Sequence, residues 1–599
     1  MGFFEQQDRA RRATARLVLL YVIALAVIIA CSNLLVVPLY SWWKGASAGP
    51  GVYAIVSAVT AGVIALGSFE IIARLSMGEG ELALLLSGRR VPRSSGIDAE
   101  RRLINVVDEM AIASGLAAPP VYVLNREKGI NAFAAGRSPN QAMIVVTQGA
   151  LDELSRDELQ AVIAHEFSHV LNGDIRLNLR AACALQGIVF LSAIGRFMMQ
   201  YYSGYGTEEG RRFFHLPFAA LGAGFYALGS VGLVAARLIQ AAISREREFL
   251  ADACAVQYTR NADALCGALA RIHGSPQGSS VRNWHADSLA HMLFAPNTAS
   301  WLATHPSIET RMRRANPHIA PDFYFEGRHR KPKPAPPAPT PKPATIQPKK
   351  LTAVAALIAS IGEPDGAALE YAAGLLAYLP GSIREALGNA EGAQAVMLGC
   401  VIDAQAGART KQLAALERLG CQALARKAEV LAPLIAQLDR AYRLPLLALA
   451  LPVLRTELDE AGRNAFLAAM RAAIEADARL TVSEFVLDTI LDWNLGPKAK
   501  RAGGVRYQSR GELKGECEVV LGLLAQRSST LAEVRDALEK LSQLAPLEKE
   551  AFMTACAELA AADGNVRLVE HELLRAIAAA LDCPMPPSVA ALDPRLLRK

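Results

Sequence analysis

The chain has 599 residues, is 52% hydrophobic with a mean hydropathy of +0.21, and carries a formal net charge of only +6. It is too apolar for an ordinary soluble enzyme, and its mild basicity comes with no motif of a nucleic-acid binder. Its nine cysteines form no CxxC pair and no evenly spaced framework, which points to a reducing compartment rather than a disulfide scaffold.

Arg9, Arg11, Arg12 and Arg16 precede a first apolar run, Leu17 to Leu39, close to the length of about 20 residues that crosses a hydrocarbon core. It is long for a signal peptide and lacks a small-residue cleavage site, so it reads as an uncleaved anchor. After a loop, Ser41 to Gly51, with Lys44 as its one basic residue, a second run spans Val52 to Ala73, broken late by Glu70 and followed by Arg74, Arg89, Arg90 and Arg93. Arginine on the outer flanks of this hairpin predicts that both termini and the region beyond it face the cytoplasm, most simply across a bacterial inner membrane.

Asn131-Ala132-Phe133-Ala134-Ala135-Gly136 reads by itself as a buried strand or turn. The next segment is more specific. Ser155-Arg156-Asp157-Glu158 has the form of a capping box, Leu159, Val162, Ile163, Phe167 and Val170 form an apolar stripe, and Asn172-Gly173 offers a stop. On that helix lies His165-Glu166-Phe167-Ser168-His169. Imidazoles at i and i+4 share a face and reach one metal ion, while Glu166 is placed as general base for a water beside it.

Two more apolar runs follow, Ala181 to Met199 and Phe213 to Ile243, with Arg196 and Arg237 near their ends. They predict a second membrane hairpin that positions the metal ligands, since the metal helix runs almost directly into it. A catalytic zinc needs three protein ligands and an open position. Beyond the hairpin, Ser244 to Asp252 supplies the best third ligand, Glu248, with Asp252 one turn later on the same face to orient an imidazole and Glu246 as the alternative ligand. Further on stand Thr304-His305-Pro306-Ser307 and Arg311.

The HExxH and ExxAD segments, with the NAFA-like Asn131 to Ala134 and the HPS…R-like His305 to Arg311, resemble in order the membrane zinc metalloproteases of the HtpX and CAAX prenyl protease group, over about residues 100 to 315. The resemblance implies one zinc ion held by His165, His169 and Glu248, and a substrate peptide added to an edge strand at Asn131, Ala132, Phe133 and Ala134. It also implies that His305 and Arg311 face the substrate carbonyl or developing oxyanion. The expected substrates are polypeptides, above all damaged or misassembled membrane proteins. A prenyl-peptide (CAAX-type) protease and a non-catalytic membrane binding or chaperone-like module with a structural metal are the competing readings.

Arg328 to Lys350 is rich in Pro and Lys and reads as an extended spacer, solvated or touching anionic lipid headgroups. Residues 351 to about 590 are Ala- and Leu-rich with helical periodicity. Phe466 to Glu484 aligns with Phe552 to Glu570, setting Asp477 against Asp563 and Glu484 against Glu570, a duplication weakly similar to tellurite-resistance TerB-like domains. The acidic turns lack the ligand pattern of a calcium loop and are expected to cap helices.

The expectation is a mostly α chain with a small β-sheet. It divides into an N-terminal transmembrane hairpin (1–80), a zincin-like (gluzincin) metalloprotease domain (81–325) carrying the hairpin 181–243, a linker (326–350) and a soluble all-α domain (351–599), with about four membrane helices in all. The all-α domain is the expected surface for a protein partner or self-association.

Overall fold

The computed structural model describes residues 3–77, 81–204, 212–282, 292–295, 305–326, 353–477, 481–497, 504–525, 531–562 and 566–587. Two long helices open the chain, α1 (Phe3–Lys44) and α2 (Pro50–Met77). Their apolar windows, Val18–Lys44 and Pro50–Phe69, are long enough to cross a bilayer. Leu19, Ile23, Leu34, Ile55, Val59 and Leu66 lie exposed on their flanks, as suits helices that satisfy their backbone internally and face lipid tails. Trp42 and Trp43 stand exposed at the end of the first window, where indole rings favour the membrane–water boundary.

The sheet that follows is small and mixed. Strands β1 (Arg89–Arg90), β2 (Val121–Leu124), β3 (Ala132–Ala135) and β4 (Met143–Thr147) lie in the order β1-β2-β4-β3, with β2 parallel to β4 and the outer pairs antiparallel. Alternate residues feed two apolar layers. Val121, Val123, Ala132, Ala134, Ile144 and Val146 join the main core with α3 (Asp98–Ser114), whereas Tyr122, Phe133, Ala135, Met143 and Val145 meet Leu82, Leu86 and Leu179 on the other face. Both faces are covered, so β2, β3 and β4 contain almost no polar residues.

Helix α4 (Arg156–Leu171) crosses the core and ends at Asn172 and Gly173. Gly173 has φ +77°, a left-handed conformation that lets α5 (Asp174–Gly204) start at once in a new direction. Asp174–Gln200 is a third span-like window, beginning seven residues before the expected Ala181. Its partner, α6 (Arg212–Thr259), is one continuous 48-residue helix. Among its described residues the apolar stretch is Ala219–Gly232, and among the described residues of the chain three helices meet the length and composition of a span. Small residues let these helices approach closely. A Cβ on Gly187 of α5 would press on the Ile64 carbonyl of α2, and one on Gly195 on the Gly222 carbonyl of α6.

Beyond α7 (Ala262–Gly274) and α8 (Ile308–Ala315), the Pro/Lys spacer falls outside the described residues. The region after it is helical throughout and includes α9 (Gly366–Tyr378), α10 (Arg443–Glu457), α11 (Glu460–Glu475), α12 (Val482–Leu495), α13 (Pro546–Ala560) and α14 (Leu568–Ala580). The aligned segments fall on the helix pairs α11–α12 and α13–α14, which are separated by the helices Lys514–Leu524 and Leu531–Leu541. Glu484 closes a capping box with Thr481, and Glu570 accepts from the Arg567 N–H. Asp563 lies outside the described residues.

This helical region is not suspended from the rest. One apolar core runs from Leu103, Val107 and Met110 of α3 through Tyr371 and Ala372 of α9 to Leu574 and Ile577 of α14. The Ala118 N–H donates to the Ala448 carbonyl at 3.0 Å, Arg176 pairs with Asp582 at 3.3 Å, and the amino-terminal turns of α1, with Phe4 buried, rest on α13.

Two outcomes follow from this packing. Gly115, at φ +73°, terminates α3 where a Cβ would collide with the Met585 carbonyl. Gly115→Val is therefore expected to lower stability by at least the roughly 1–2 kcal/mol of a left-handed branched residue and to expose the helical region to limited proteolysis. An unchanged digestion pattern would contradict the shared core. His571 is buried, and burial first, with Arg575 next, pushes its pKa down to about 3. The folded chain then binds fewer protons than the unfolded one between about 3 and the ordinary histidine value of about 6.5. Stability should be complete above that upper value and fall as pH drops through the window. His571→Leu should flatten this dependence of the denaturation midpoint measured in detergent.

Candidate metal centre

Helix α4 is set by its first turn. The Ser155 hydroxyl accepts from the Glu158 N–H at 3.3 Å and Glu158 accepts from the Ser155 N–H at 2.8 Å, the capping box expected from the sequence. Glu158 also binds Arg271 of α7 at 2.7 Å, fixing the helix against its neighbour. From Ala161 to Leu171 every residue is buried, so His165, Glu166 and His169 sit inside the molecule and each polar atom there needs a partner.

The two imidazoles face each other, Nε2 to Nε2, at 3.2 Å. Across from them, on α6, Glu248 brings its carboxylate to 3.7 Å from His165 Nε2 and 3.6 Å from His169 Nε2. These three residues offer ligand atoms within 4.8 Å of one another, all buried. Glu246, the alternative ligand, is exposed.

The outward ring nitrogens are held by carboxylates. His165 Nδ1 lies 3.0 Å from Asp252, and His169 Nδ1 lies 2.9 Å from Asp174. Each carboxylate is in turn bound by an arginine. Arg311 donates to both oxygens of Asp252 at 2.8 and 2.7 Å, and Arg247 donates to Asp174 at 3.0 Å. With both Nδ1–H groups donated outward, the Nε2 lone pairs turn toward each other and toward Glu248, whose Oε2 accepts no hydrogen bond. Four buried carboxylates (Glu166, Asp174, Glu248, Asp252) against two arginines leave two negative charges, the charge that one divalent cation balances. Two imidazole nitrogens and one carboxylate are also a donor set suited to zinc with an open position. The residues present therefore fit the ion.

Burial works against a proton on His169, but the hydrogen bond to Asp174 and the charge of Glu248 outweigh it and raise its pKa to about 9. His165, where burial dominates, is lowered to about 4. Burial drives Glu166 up to about 7, with His169 pulling it down and Glu248 adding to the rise. Burial also disfavours the Glu248 carboxylate, yet the charge of His305 and then the paired imidazoles hold it far below the usual range.

The other expected site residues are placed less uniformly. His305 is buried with Nδ1 3.2 Å from Glu248 Oε2. Strand β3 is an edge strand, as expected, and its Ala134 N–H donates to Glu166 Oε2 at 2.8 Å, joining base and strand directly. Phe133, however, points to the opposite apolar layer. Asn131 is a bracket: its amide donates to the Ser279 and Ala295 carbonyls and its Oδ1 accepts from the Ala132 and Ala295 N–H groups. The Ala132 carbonyl already accepts from Phe294. Arg311 departs from the expectation that it faces a substrate carbonyl. It is fully buried behind the imidazoles, spent on Asp252 and the Phe294 carbonyl, because a desolvated guanidinium binds best where planar acceptors surround it.

Sequence reading missed Asp174, Arg247 and Phe294. The signal for Asp174 was the demand of a buried imidazole for an Nδ1 acceptor, met by the first acid after the Gly173 turn. Phe294, which packs edge-on to His165 at 4.9 Å, carried no local signal.

Residues 98–318 match the model of peptidase family M48. Among curated proteins the chain is similar to a "Protease HtpX homolog" of Streptococcus uberis, 32% identical over 241 residues (38% of this chain, 77% of the relative). It is likewise similar to those of Dictyoglomus turgidum, 34% identical over 244 residues (39% and 74%), and Tropheryma whipplei, 36% identical over 244 residues (39% and 77%). No solved structure matches.

Removing Arg311 would strand Asp252 as an unpaired buried charge, a loss of about 3–5 kcal/mol. Arg311→Met is thus expected to lower the unfolding temperature sharply, and a variant as stable as the parent would show that Asp252 is not desolvated as described.

Proposed function

The chain belongs to peptidase family M48 as an HtpX-like, membrane-associated metalloprotease, and from there we propose that it is an integral-membrane zinc endopeptidase acting on polypeptides. The observation that carries this reading is the meeting of His165, His169 and Glu248 in one buried cluster with Glu166 on the same helix. His165, His169 and Glu248 hold one zinc ion. When bound, the ion supplies Lewis-acid polarisation of the scissile carbonyl and lowers the pKa of water in the site toward neutrality.

The remaining chemistry belongs to side chains. Glu166 Oε2 rests on the Ala134 N–H while Oε1 accepts no hydrogen bond, leaving an oxygen to take the proton of the attacking water and return it to the leaving amine. His305, whose Nδ1 lies 3.2 Å from Glu248, would donate toward charge growing on the carbonyl oxygen. A substrate that adds to the outer edge of β3 around Ala132 to Ala134 has to displace the bonds that the Ala132 N–H and carbonyl and the Ala134 N–H already make to Asn131, Phe294 and Glu166. Asp252, with Arg311 behind it, orients His165.

The membrane assignment extends to four spans, the fourth in α6 before Ser244, with the catalytic and helical regions on the cytoplasmic side by the arginines that flank the first hairpin. The two folded parts work as a membrane-surface enzyme whose substrates are misfolded or damaged membrane proteins, and the helical region is the candidate surface for a partner.

In detergent, the full-length protein is expected to contain one zinc and to cleave casein. Glu166→Gln should retain zinc yet lose about 100- to 10,000-fold in rate, and Glu248→Ala should lose the zinc itself. Casein cleavage by Glu166→Gln at the parent rate would remove the base from the mechanism, and full zinc content in Glu248→Ala would remove the third ligand.

A further inference from the structure

Metal ligands hold their geometry only if their outer nitrogens and oxygens are held too, and here the carboxylate behind each imidazole comes from a different helix. His165 is steadied by Asp252 of α6 and Arg311 of α8, both buried. His169 is steadied by Asp174, 2% exposed, whose Oδ2 stands 2.9 Å from Nδ1 and whose Oδ1 stands 3.0 Å from Arg247. Asp174 is the first residue of α5 and of its span-like window, while Arg247 immediately precedes Glu248 on α6.

We propose that Asp174 and Arg247 are positioning residues of the metal centre, and that through them the α5–α6 membrane hairpin sets the affinity of the site. The contacts form a closed ring: His169 to Asp174, Asp174 to Arg247, Arg247 by one peptide link to Glu248, and Glu248 back to His169. A displacement of α5 along α6 moves the acceptor that orients His169, and the same displacement pulls on the residue next to the third ligand. Gly173 makes the arrangement possible, because its left-handed turn brings Asp174 back beneath His169 within five residues. Close glycine-mediated contact between α5 and α6 keeps the two ends of the ring in register. Arg176, one half-turn along α5, serves as the natural comparison. It reaches the Arg137 carbonyl at 2.7 Å and Asp582 at 3.3 Å but touches no imidazole.

This inference rests on the zinc reading above, and the test separates the two. Zinc affinity of the full-length protein in detergent is measured by competition with a chromogenic chelator, alongside kcat and KM on a casein peptide. Asp174→Asn is expected to weaken zinc binding about 10- to 100-fold and to lower kcat with KM within about twofold, and Asp174→Glu to recover part of both. The double variant Asp174→Asn/Arg247→Gln, which removes the guanidinium together with the carboxylate, should remain weak, whereas Arg176→Gln should stay within about twofold of the parent. Parent-like zinc affinity in Asp174→Asn overturns the inference. So does recovery in the double variant, which would assign the loss to the Arg247 charge, and so does an equal loss in Arg176→Gln, which would assign it to the helix start in general. A parent protein that takes up no zinc overturns the zinc assignment and this inference together, while a zinc-binding parent with indifferent Asp174 variants overturns this inference alone.

Discussion

Two imidazoles turned inward at 3.2 Å, each tethered from behind by a carboxylate and an arginine, impose the constraint around which the catalytic region is built. Four acids and two guanidiniums in one desolvated cluster are tolerable only if every charge has a partner and the remainder is neutralised by a cation. That requirement explains why Arg311, despite its charge, is completely buried, and why Glu248 and Asp252 lie one turn apart on a single helix face. It also explains why the base, Glu166, rests on the backbone of the edge strand: when not engaged with water, its carboxylate has few other donors within reach.

The cluster cannot be separated from the membrane region. Helix α4 ends in a single left-handed glycine, α5 begins at Asp174, and α6 carries apolar surface and metal ligand on one uninterrupted axis. Helices are stiff, so the packing of α5 on α6 among small residues is transmitted without a flexible joint to the residues that hold the ion. The cluster thereby lies within a few residues of the span-like window.

The carboxy-terminal helices add a second support. They share an apolar core with α3, bond to its backbone after Ser114, and hold the start of α5 through Arg176 and Asp582. The same helices receive the first turns of α1. Whatever spacer connects them in sequence, their docking is made by buried leucine and alanine surface and by turns, such as that at Gly115, in which no side chain fits.

Local chemistry made part of this legible beforehand. An i, i+4 pair of histidines with an intervening acid, a capping box ahead of them and an Asn-Gly stop define a metal-bearing helix regardless of surroundings, because helix geometry alone places those side chains. Glu248 and Asp252 were readable for the same reason, as were the apolar helices near the amino terminus and the helical character of the tail. Contacts between distant segments were not. That Arg311 lies behind Asp252 rather than over the cleft, that Asn131 brackets two loops, that Phe294 packs on His165, that Asp174 and Arg247 close a ring around His169, and that the tail joins the main core all depend on which surfaces meet after folding. Periodicity and spacing report the face a residue occupies on its own helix or strand; only the packing of elements far apart in the chain decides what that face touches.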